Sequence, residues 1–527
     1  MNTKNLIQPI LCILNKYFFL FLIILNTMLV FGQEGKELIA PINAPFEMPD
    51  LQRPVFQDKE FDISKYGAVE GGEELNETAF QKTIDACNAA GGGKVVVPAG
   101  KWLTVPIVLK SNVNLNLKEG SEVIFTADKK YYFPDMESRK NGDLSNPVYL
   151  ISADHCENIA ITGSGELDGN GMEWWPLQPQ FWKQHKHYLD KSVYEKAWKG
   201  LDKNIIQERP QMFRVFNCNN VLLEGITFIN SPFWTINPVI CENIIIRDVT
   251  VLAKASNETP DTPNTDGINP ESCKNVLIEN CIIDTGDDSF AIKSGMDEEG
   301  RKRGIASENI VIRNCDGKTI AIGSEMSGGV RNIFIHDLIL DEHFRIKTRR
   351  GRGGIVENIW VQDIQMNSLK RLIIHIDMEY YTHIDPAPYE PVSERTPRIR
   401  NIFIKNIKAI KNISESAIFI NGLPEMPVEN VIVENAELSA KEGIICNNTN
   451  GATFKNISLT NVEKNAISIK NSKNVSFNNL ELDEVPKPFM LLKGSETERI
   501  ILDKTWEDKI NNILFEDDAS SEMIEFR

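Results

Sequence analysis

The sequence predicts an all-β protein, folded as a right-handed parallel β-helix in which each coil of the chain stacks on the previous one. A short pattern recurs along the chain: a charged residue, Asn, Ile or Val, any residue, and an apolar residue. These runs are rich in β-branched residues and no long helical periodicity separates them, which favours strands. The copies begin at Glu157, Glu242, Lys274, Glu308, Arg331, Glu357, Arg400, Glu429, Lys455 and Lys473.

The spacing of the copies is that of a solenoid with one coil per repeat. Asn243 and Asn474 are 231 residues apart in eight steps, or about 29 residues per step, and periods of about 20 to 50 residues indicate a solenoid. Asn at a fixed turn position tolerates the left-handed conformation, and stacked Asn amides can hydrogen-bond from coil to coil. Strands stacked in this way run parallel, about 4.8 Å apart.

The chain divides into four segments by composition and repeat pattern. Residues 1–32 combine positive charge, an apolar stretch and small residues near their end, which predicts a cleaved signal peptide. Residues 33–60 form an N-terminal extension, residues 61–485 the β-helix with the candidate site, and residues 486–527 a charged tail or the last coils. We therefore expect an exported monomer, periplasmic or extracellular, with no membrane attachment after cleavage.

An N-terminal capping helix is predicted by "ETAFQKTIDACNAAGGG". Thr78 and Gln81 match a capping box, Phe80 and Ile84 share one face, and Gly91 ends the helix. A cap is needed because the open end of a β-helix exposes its core and its strand edges.

Charge and cysteine content exclude several classes of partner. The net charge is -17, so the chain lacks the basic face that nucleic acid requires. None of the nine Cys forms a C-x-x-C pair, so we expect neither a metal nor another cofactor. Four Cys precede an Asn by two residues and are predicted to stack as small buried side chains. These are Cys156, Cys218, Cys241 and Cys273.

Three candidate catalytic carboxylates lie in "NTDGINPESCKNVLIENCIIDTGDDSFAIKSG". Asp266 and Asp288 each precede a Ser by six residues, so we expect them one coil apart on the same face. Asp287 follows Gly286, where a bend would let both neighbouring carboxylates project outward. Clustered carboxylates repel one another, which should raise the pKa of at least one. One protonated acid beside ionised partners is the arrangement that glycoside hydrolysis needs.

Cationic residues are concentrated near these carboxylates, although the protein is acidic overall. The same alignment places Lys293 and Lys347 at one position, and Arg345 points to the same side of its strand as Lys347. Because Arg grips a carboxylate with two hydrogen bonds, this pattern predicts a pocket for an anionic substrate. The alternative is a solvated basic loop. The segment "RIKTRRGRGG" also contains Arg349, Arg350 and Arg352.

On these motifs, the segment from about Phe61 to Leu480 resembles glycoside hydrolase family 28, the polygalacturonases, and especially its exo-acting members. "NTD", "GDD" and "RIK" occur in the family's order, accompanied by "SPFWTINPV", "IGSEMSGGVRNI" and "TRRGRGG". The resemblance implies an inverting hydrolysis of galacturonosyl linkages without metal. A pectic polysaccharide or oligosaccharide would be the substrate.

The resemblance also implies roles for individual residues. Asp287 would be the general acid, and Asp266 and Asp288 would activate the attacking water. Arg345 and Lys347 would bind the uronate carboxylate. The further substrate-binding candidates are Lys293, Lys318, Tyr380, Tyr381, Asn264 and Asn237.

Two departures from the family pattern bear on the substrate. Lys318 stands in "GKT" where the family has "GHG", and Asn237 stands in "WTINP" where the family has "WTIHP". The missing histidine favours a substituted or rhamnogalacturonan-type pectic substrate over plain galacturonan. Lys318 is expected one strand from the Asp cluster; alternatively, it points to solvent and His343 replaces the missing histidine.

Two other functions remain open at this point. One is a pectin or pectate lyase, since such lyases share the β-helix, and the other is a non-catalytic carbohydrate-binding β-helix. The complete carboxylate cluster with Arg345 and Lys347 favours hydrolysis over both. Two long stretches, Met172–Pro210 and Asp377–Arg398, are predicted to be loops that close one end of a groove, which would favour attack at chain ends.

Overall fold

A computed structural model describes most of the chain beyond residue 38. Residues 44–527 form one compact unit, which contains all of the elements described below. The signal peptide predicted at residues 1–32 and parts of both predicted loops lie outside the described residues, so these stay predictions. The described residues are 39–133, 148–175, 209–254, 262–367, 372–382 and 388–527.

The parallel strands form three stacks. We call the first stack the repeat sheet, because its strands contain the copies of the Asn repeat. Its strands pair in register from coil to coil, for example Val276 with Ile310 and Ile310 with Ile333. The strands are β1 (Glu60–Asp62), β2 (Gly93–Val97), β5 (Val113–Leu117), β8 (Glu157–Gly163), β11 (Asn219–Glu224), β14 (Glu242–Arg247), β16 (Lys274–Glu279), β19 (Ser307–Gly317), β21 (Val330–Leu340), β23 (Ile355–Met366), β25 (Arg398–Asn421), β26 (Val428–Asn447), β27 (Thr449–Thr460), β29 (Lys473–Leu482), β31 (Glu498–Leu502) and β33 (Ile524–Phe526).

The second stack, which we call the site sheet, carries the candidate carboxylates and cations. Bridges at Ile268 and Glu271 continue it between two of its strands. The C-terminal parts of β25 and β26 also belong to it. Its other strands are β4 (Ile107–Val108), β7 (Ile151–Asp154), β10 (Phe213–Phe216), β13 (Ile236–Val239), β18 (Phe290–Ile292), β20 (Ile320–Gly323), β22 (Phe344–Lys347), β24 (Leu372–Asp377), β28 (Ile467–Lys470), β30 (Met490–Lys493) and β32 (Ile513–Glu516).

The third stack closes the coil. From β19 onward, the long strands of the repeat sheet bend around a corner and continue this stack without a break, for example through the pairing of Ile282 with Asp316. The three stacks confirm the predicted parallel β-helix. The separate strands of the third stack are β3 (Gly100–Thr104), β6 (Ser121–Phe125), β9 (Glu166–Asp168), β12 (Thr227–Ile229), β15 (Thr250–Ala253) and β17 (Ile282–Thr285).

The repeated Asn forms the predicted ladder. Asn243, Asn275 and Asn309 have φ of 57°, 57° and 56°, the left-handed region that Asn tolerates better than other residues with a side chain. The Asn275 amide donates to the Asn243 side-chain oxygen at 3.2 Å, and the Asn309 amide donates to that of Asn275 at 3.1 Å. The ladder therefore ties each coil to the next.

One copy of the repeat was placed in the wrong ladder. Asn456, in the copy that begins at Lys455, donates to Asn435 at 2.9 Å, at the corner toward the third stack. The position in the first ladder is taken by residues near Asn450, which accepts from Asn474 at 2.9 Å. The error arose because both corners of a coil use Asn for the same left-handed turn.

The core between the stacks is filled by aliphatic side chains and a file of Cys. The four Cys predicted to stack are all buried, which confirms that prediction. The Cys218 backbone N–H donates to the Cys241 sulfur at 3.3 Å in the next coil. The Cys218 thiol acts to lower the pKa of Cys241, but the Cys273 thiol and burial outweigh it and raise this pKa above its ordinary value, so Cys241 stays a neutral core side chain.

Two α-helices are described: α1 (Ala79–Ala89) and α2 (Asp297–Arg303). Phe80 and Ile84 of α1 are buried as predicted. The capping box is wrong, because the Thr78 side chain makes no capping hydrogen bond. Gln81 instead exchanges two hydrogen bonds with the backbone of Val108, at 3.1 and 3.0 Å. That α1 closes the end of the solenoid stays a prediction.

The coils continue beyond Val485. In this region β30 pairs with β28, β31 with β29, β32 with β30 and β33 with β31. Phe489, Met490 and Leu492 are fully buried, so they extend the same core. The weakening of the Asn pattern therefore does not mark the end of the solenoid.

Candidate active site

Asp266 and Asp288 occupy the same position on successive coils, as the spacing predicted. The bridge between Ile268 and Phe290 fixes this register, and the Gly267 N–H donates to the Asp288 carbonyl at 2.9 Å. The two Asp are only 3% and 2% exposed. Two carboxylates thus lie one strand spacing apart inside the protein.

Asp287 is brought beside them by a bend between β17 and β18. Gly286 lies at this bend, where a Cβ would come within 2.3 Å of the Thr262 backbone, so only Gly fits. The Asp287 carboxylate is half-buried and accepts two backbone N–H groups, from Asn264 at 3.2 Å and from Asp288 at 3.0 Å. Asp287 is therefore the member of the trio that reaches furthest toward solvent.

Asp288 is held by two cations and a hydroxyl. Lys347 Nζ lies 2.8 Å from Asp288 Oδ2, the Arg345 guanidinium contacts Oδ1, and Thr319 Oγ1 donates to Oδ1 at 3.0 Å. Arg345 and Lys347 lie on β22, two coils after Asp288. The cations predicted to bind substrate therefore also neutralise a carboxylate of the site.

Lys293 forms an ion pair with Asp266. Its Nζ lies 3.4 Å from Asp266 Oδ2 and 3.1 Å from Glu325 Oε2, and 4.2 Å from the centre of the Trp234 ring. Its alignment with Lys347, which the sequence predicted, is correct, because Gly323 pairs with Lys347 and occupies the Lys293 position on the coil between them.

The pKa values of the two buried carboxyls are pushed apart. Burial raises the pKa of Asp266 to about 7, with Asp287 and Asp288 adding to the effect and Lys293 opposing it. Burial would also raise the pKa of Asp288, but Lys347 and Arg345 hold it well below its usual range. The raised pKa that clustering predicted therefore falls on Asp266.

The two Tyr candidates lie beside the cations. Lys347 Nζ is 5.3 Å from the Tyr380 ring centre, and the rings of Tyr380 and Tyr381 are 3.9 Å apart. Tyr381 is 83% exposed, so an aromatic surface faces solvent near Lys347.

Lys318 and Asn237, two further candidates for substrate binding, have side chains with partners inside the protein. Lys318 lies one coil from Asp288 as predicted, but its Nζ is 3.7 Å from Glu342 and its side chain is 16% exposed, so it does not simply point to solvent. Asn237 is fully buried and its amide donates to the Asn269 carbonyl at 2.6 Å. The structure does not bring the Asn237 side chain to the surface of the site.

The basic loop after β22 is mostly engaged in ion pairs. Arg350 pairs with Glu425 at 2.7 Å, and Arg352 with Asp297 at 2.6 Å. These two Arg therefore hold the loop to neighbouring segments of the chain.

Four residues near the carboxylates were not predicted as site residues. They are Arg209, Trp234, Thr319 and Glu325, of which only the last two share a coil. They were missed because they are distant from the Asp motifs in the sequence. Thr319 and Glu325 nevertheless lie on the coil that the sequence alignment of the repeats placed next to Asp288.

The described residues contain no group of three or more His, Cys, Asp or Glu that could hold a metal ion. No helix in the described part of the chain is long and apolar enough to cross a membrane.

The combination of a β-helix face, a trio of carboxyls of which the two buried members have divergent pKa values, and fixed cations defines a site of the glycoside hydrolase type. Comparison with known proteins agrees. The model of glycosyl hydrolases family 28 matches residues 87–452. The chain belongs to this family and is a glycoside hydrolase.

Individual relatives give the same assignment. A probable polygalacturonase of Vitis vinifera is 31% identical over 390 residues, covering 71% of this chain and 73% of that protein. An exo-poly-alpha-D-galacturonosidase of Dickeya chrysanthemi is 24% identical over 440 residues, covering 77% and 71%. The crystal structure of a hyperthermoactive exopolygalacturonase from Thermotoga maritima matches with a TM-score of 0.64 at 32% identity, covering 78% of this chain and 93% of that one.

Proposed function

We propose that the protein hydrolyses galacturonosyl linkages in pectic polysaccharides or oligosaccharides, with inversion and from chain ends. The observation that carries this proposal is the trio Asp266, Asp287 and Asp288 set against Arg345 and Lys347. Glycoside hydrolysis with inversion needs one carboxylic acid to protonate the leaving oxygen and a carboxylate to activate water. A uronate substrate also needs a fixed cation.

Asp287 is assigned as the general acid because it is the least buried of the three. A general acid must lie within hydrogen-bonding reach of the oxygen that it protonates, and Asp266 and Asp288 are almost fully enclosed. Its two backbone hydrogen bonds hold the carboxyl in one orientation.

Asp266 and Asp288 are assigned to the attacking water. Asp288 is kept ionised by Arg345 and Lys347 and supplies a fixed negative charge. Asp266, with a pKa raised to about 7, is an efficient base near neutral pH, because proton transfer is most effective when the catalytic pKa is close to the working pH.

The substrate carboxylate is assigned to the exposed edge of Arg345. Its side chain is 17% exposed while it contacts Asp288, and we propose that donors of its guanidinium not used by Asp288 bind the substrate carboxylate. Tyr380 and Tyr381 provide an aromatic surface for a neighbouring sugar ring. With Lys318 in place of the family's histidine, we propose that a substituted or rhamnogalacturonan-type fragment is preferred over plain galacturonan.

Product analysis on a panel of pectic oligosaccharides tests this function. We expect new reducing ends, early release of only the terminal sugar, and faster turnover of a substituted or mixed fragment than of plain polygalacturonate. Rapid mid-chain fragmentation would contradict the exo assignment. A product with near-ultraviolet absorption would indicate the lyase reaction, and no product from any fragment would indicate a binding protein.

A further inference from the structure

We propose that Arg209 is a positioning residue: it fixes the orientation of Asp287 through Asn264 and places a positive charge behind the carboxylate cluster. This inference rests on the proposed function, because it gives Asp287 and Asp266 their catalytic roles. Arg209 stands outside the family motifs that contribute the carboxylates and lies 57 residues before Asp266 in the chain.

The Arg209 guanidinium joins two segments of the chain. One Nη donates to the Pro232 carbonyl at 2.9 Å and to the Pro263 carbonyl at 2.8 Å, and the other Nη donates to Asn264 Oδ1 at 3.1 Å. The guanidinium also lies 4.9 Å from the centre of the Phe233 ring. Arg209 is only 6% exposed, so these contacts are made away from solvent, where an unmade hydrogen bond is costly.

Asn264 links Arg209 to Asp287, the proposed general acid. Its backbone is left-handed, with φ of 57°, and its N–H donates to Asp287 Oδ2 at 3.2 Å. The position of that N–H depends on the turn, and the turn is held by the bond from Arg209 to the Asn264 side chain. Misplacing a catalytic group by about 1 Å can reduce the rate by about 100-fold.

Arg209 differs from the other buried Arg residues in the described part of the chain. Arg313 pairs with Glu279 at 2.6 Å and Arg352 pairs with Asp297 at 2.6 Å, whereas the hydrogen-bond acceptors of Arg209 in the described residues are uncharged oxygens. A buried charge is usually paired because desolvation is expensive. Among the residues that the structure describes, no carboxylate forms an ion pair with the Arg209 guanidinium.

That charge acts on the carboxylate cluster. Burial lowers the pKa of the Arg209 guanidinium to about 9, while Asp266 and Asp287 act to raise it, so it is cationic at neutral pH. A nearby cation favours the ionised form of a carboxyl. The other charged groups that face Asp266 are Lys293, Lys347, Asp287 and Asp288.

Two substitutions separate geometry from charge. Arg209→Lys keeps the charge but loses the planar fork that reaches both segments, so we expect kcat to fall at least about tenfold with KM little changed. Arg209→Gln also removes the charge, so in addition the acidic limb of kcat/KM, set by ionisation of Asp266, should move to higher pH.

Two further variants distinguish a specific effect of Arg209 on catalysis from a general loss of stability. Asn264→Gly keeps the left-handed turn but removes the acceptor for Arg209, and it should lower kcat in the same direction as Arg209→Lys. Arg313→Gln is the matched control, because it also removes a buried Arg from the solenoid. It should lower thermal stability without moving the acidic limb.

Wild type and Asp287→Asn are assayed beside these variants. Hydrolysis by the wild type and its loss in Asp287→Asn establish the proposed function, whatever the Arg209 variants do. The Arg209 proposal is overturned if Arg209→Lys and Asn264→Gly keep at least about half of the wild-type kcat, less than 0.5 kcal/mol of transition-state stabilisation by order of magnitude. It is also overturned if Arg209→Gln folds and the acidic limb of its kcat/KM profile lies at the same pH as in the wild type.

Discussion

Asp266 is surrounded by two other carboxylates and by the cations Lys293 and Lys347, and we expect this environment to set the pH dependence of the site. Its pKa is raised to about 7, first by burial and then by Asp287 and Asp288. If Asp266 must be ionised to activate water, kcat/KM should rise with pH through a limb near 7, well above the ordinary Asp pKa of about 4.

Lys293→Met provides the residue-scale test of this electrostatic balance. Lys293 lies 3.4 Å from Asp266 and favours its ionised form, so removing the charge should raise the pKa and move the acidic limb upward by about one unit or more. The pH profile of kcat/KM is the measurement. Lys302→Met, at an exposed position on α2, is the control, and equal limbs in both variants would refute the role of Lys293.

Lys318 presents the second residue-scale question. Its contact with Glu342 ties it to the next coil, and His343 beside it is kept neutral because burial and Arg345 lower its pKa to about 3. We expect Lys318→Ala to reduce kcat/KM on the preferred fragment about tenfold, or about 1.4 kcal/mol. An unchanged kcat/KM in Lys318→Ala with a loss in His343→Gln would transfer the role to His343.

The residues of the site were only partly predictable from sequence. The shared position of Asp266 and Asp288 followed from one alignment, since a coil repeats at fixed spacing. Arg209 and Trp234 were missed because they come from coils of different length, joined by segments that no repeat aligns. Asn237 was chosen by resemblance, which does not report whether a side chain is exposed.

At the scale of the element, the Asn ladder is the feature that fixes the register of the coils. Each Asn satisfies two requirements, a left-handed backbone and an amide bond to the next coil. This was predictable because the two requirements select the same residue. The capping box of α1 was not, because the pattern did not show that Gln81 has a better partner in the Val108 backbone.

Asn309 offers the element-scale test. Asn309→Ala removes the amide bonds to Asn275 and Asn332. It also puts Ala, which tolerates the left-handed backbone less well than Asn, at φ of 56°, where an ordinary residue costs about 1–2 kcal/mol. Asn309→Gly loses the same bonds but tolerates the backbone, so it should be the more stable variant. Unfolding midpoints measured together decide this, and equal or reversed midpoints would contradict the role of the left-handed turn.

At the scale of the whole molecule, the last coils extend the core and the paired strands of the solenoid. Residues 486–527 cover β28 and β29 with paired strands and bury Phe489, Met490 and Leu492. Removing them would expose both strand edges and the core, which favours aggregation. We expect a chain that ends at Val485 to be insoluble, whereas a soluble chain with the wild-type unfolding midpoint would show that these coils are dispensable.

Proton NMR of the first product, followed in wild type and in Asp287→Asn, tests the central claim most directly. Asn keeps the shape of the side chain but cannot donate the proton, so the variant should still bind the oligosaccharide and should form almost no product. The wild-type product should carry the inverted anomeric configuration when first formed. Retention of configuration, or a substantial kcat in Asp287→Asn, would contradict the assignment of the three carboxylates.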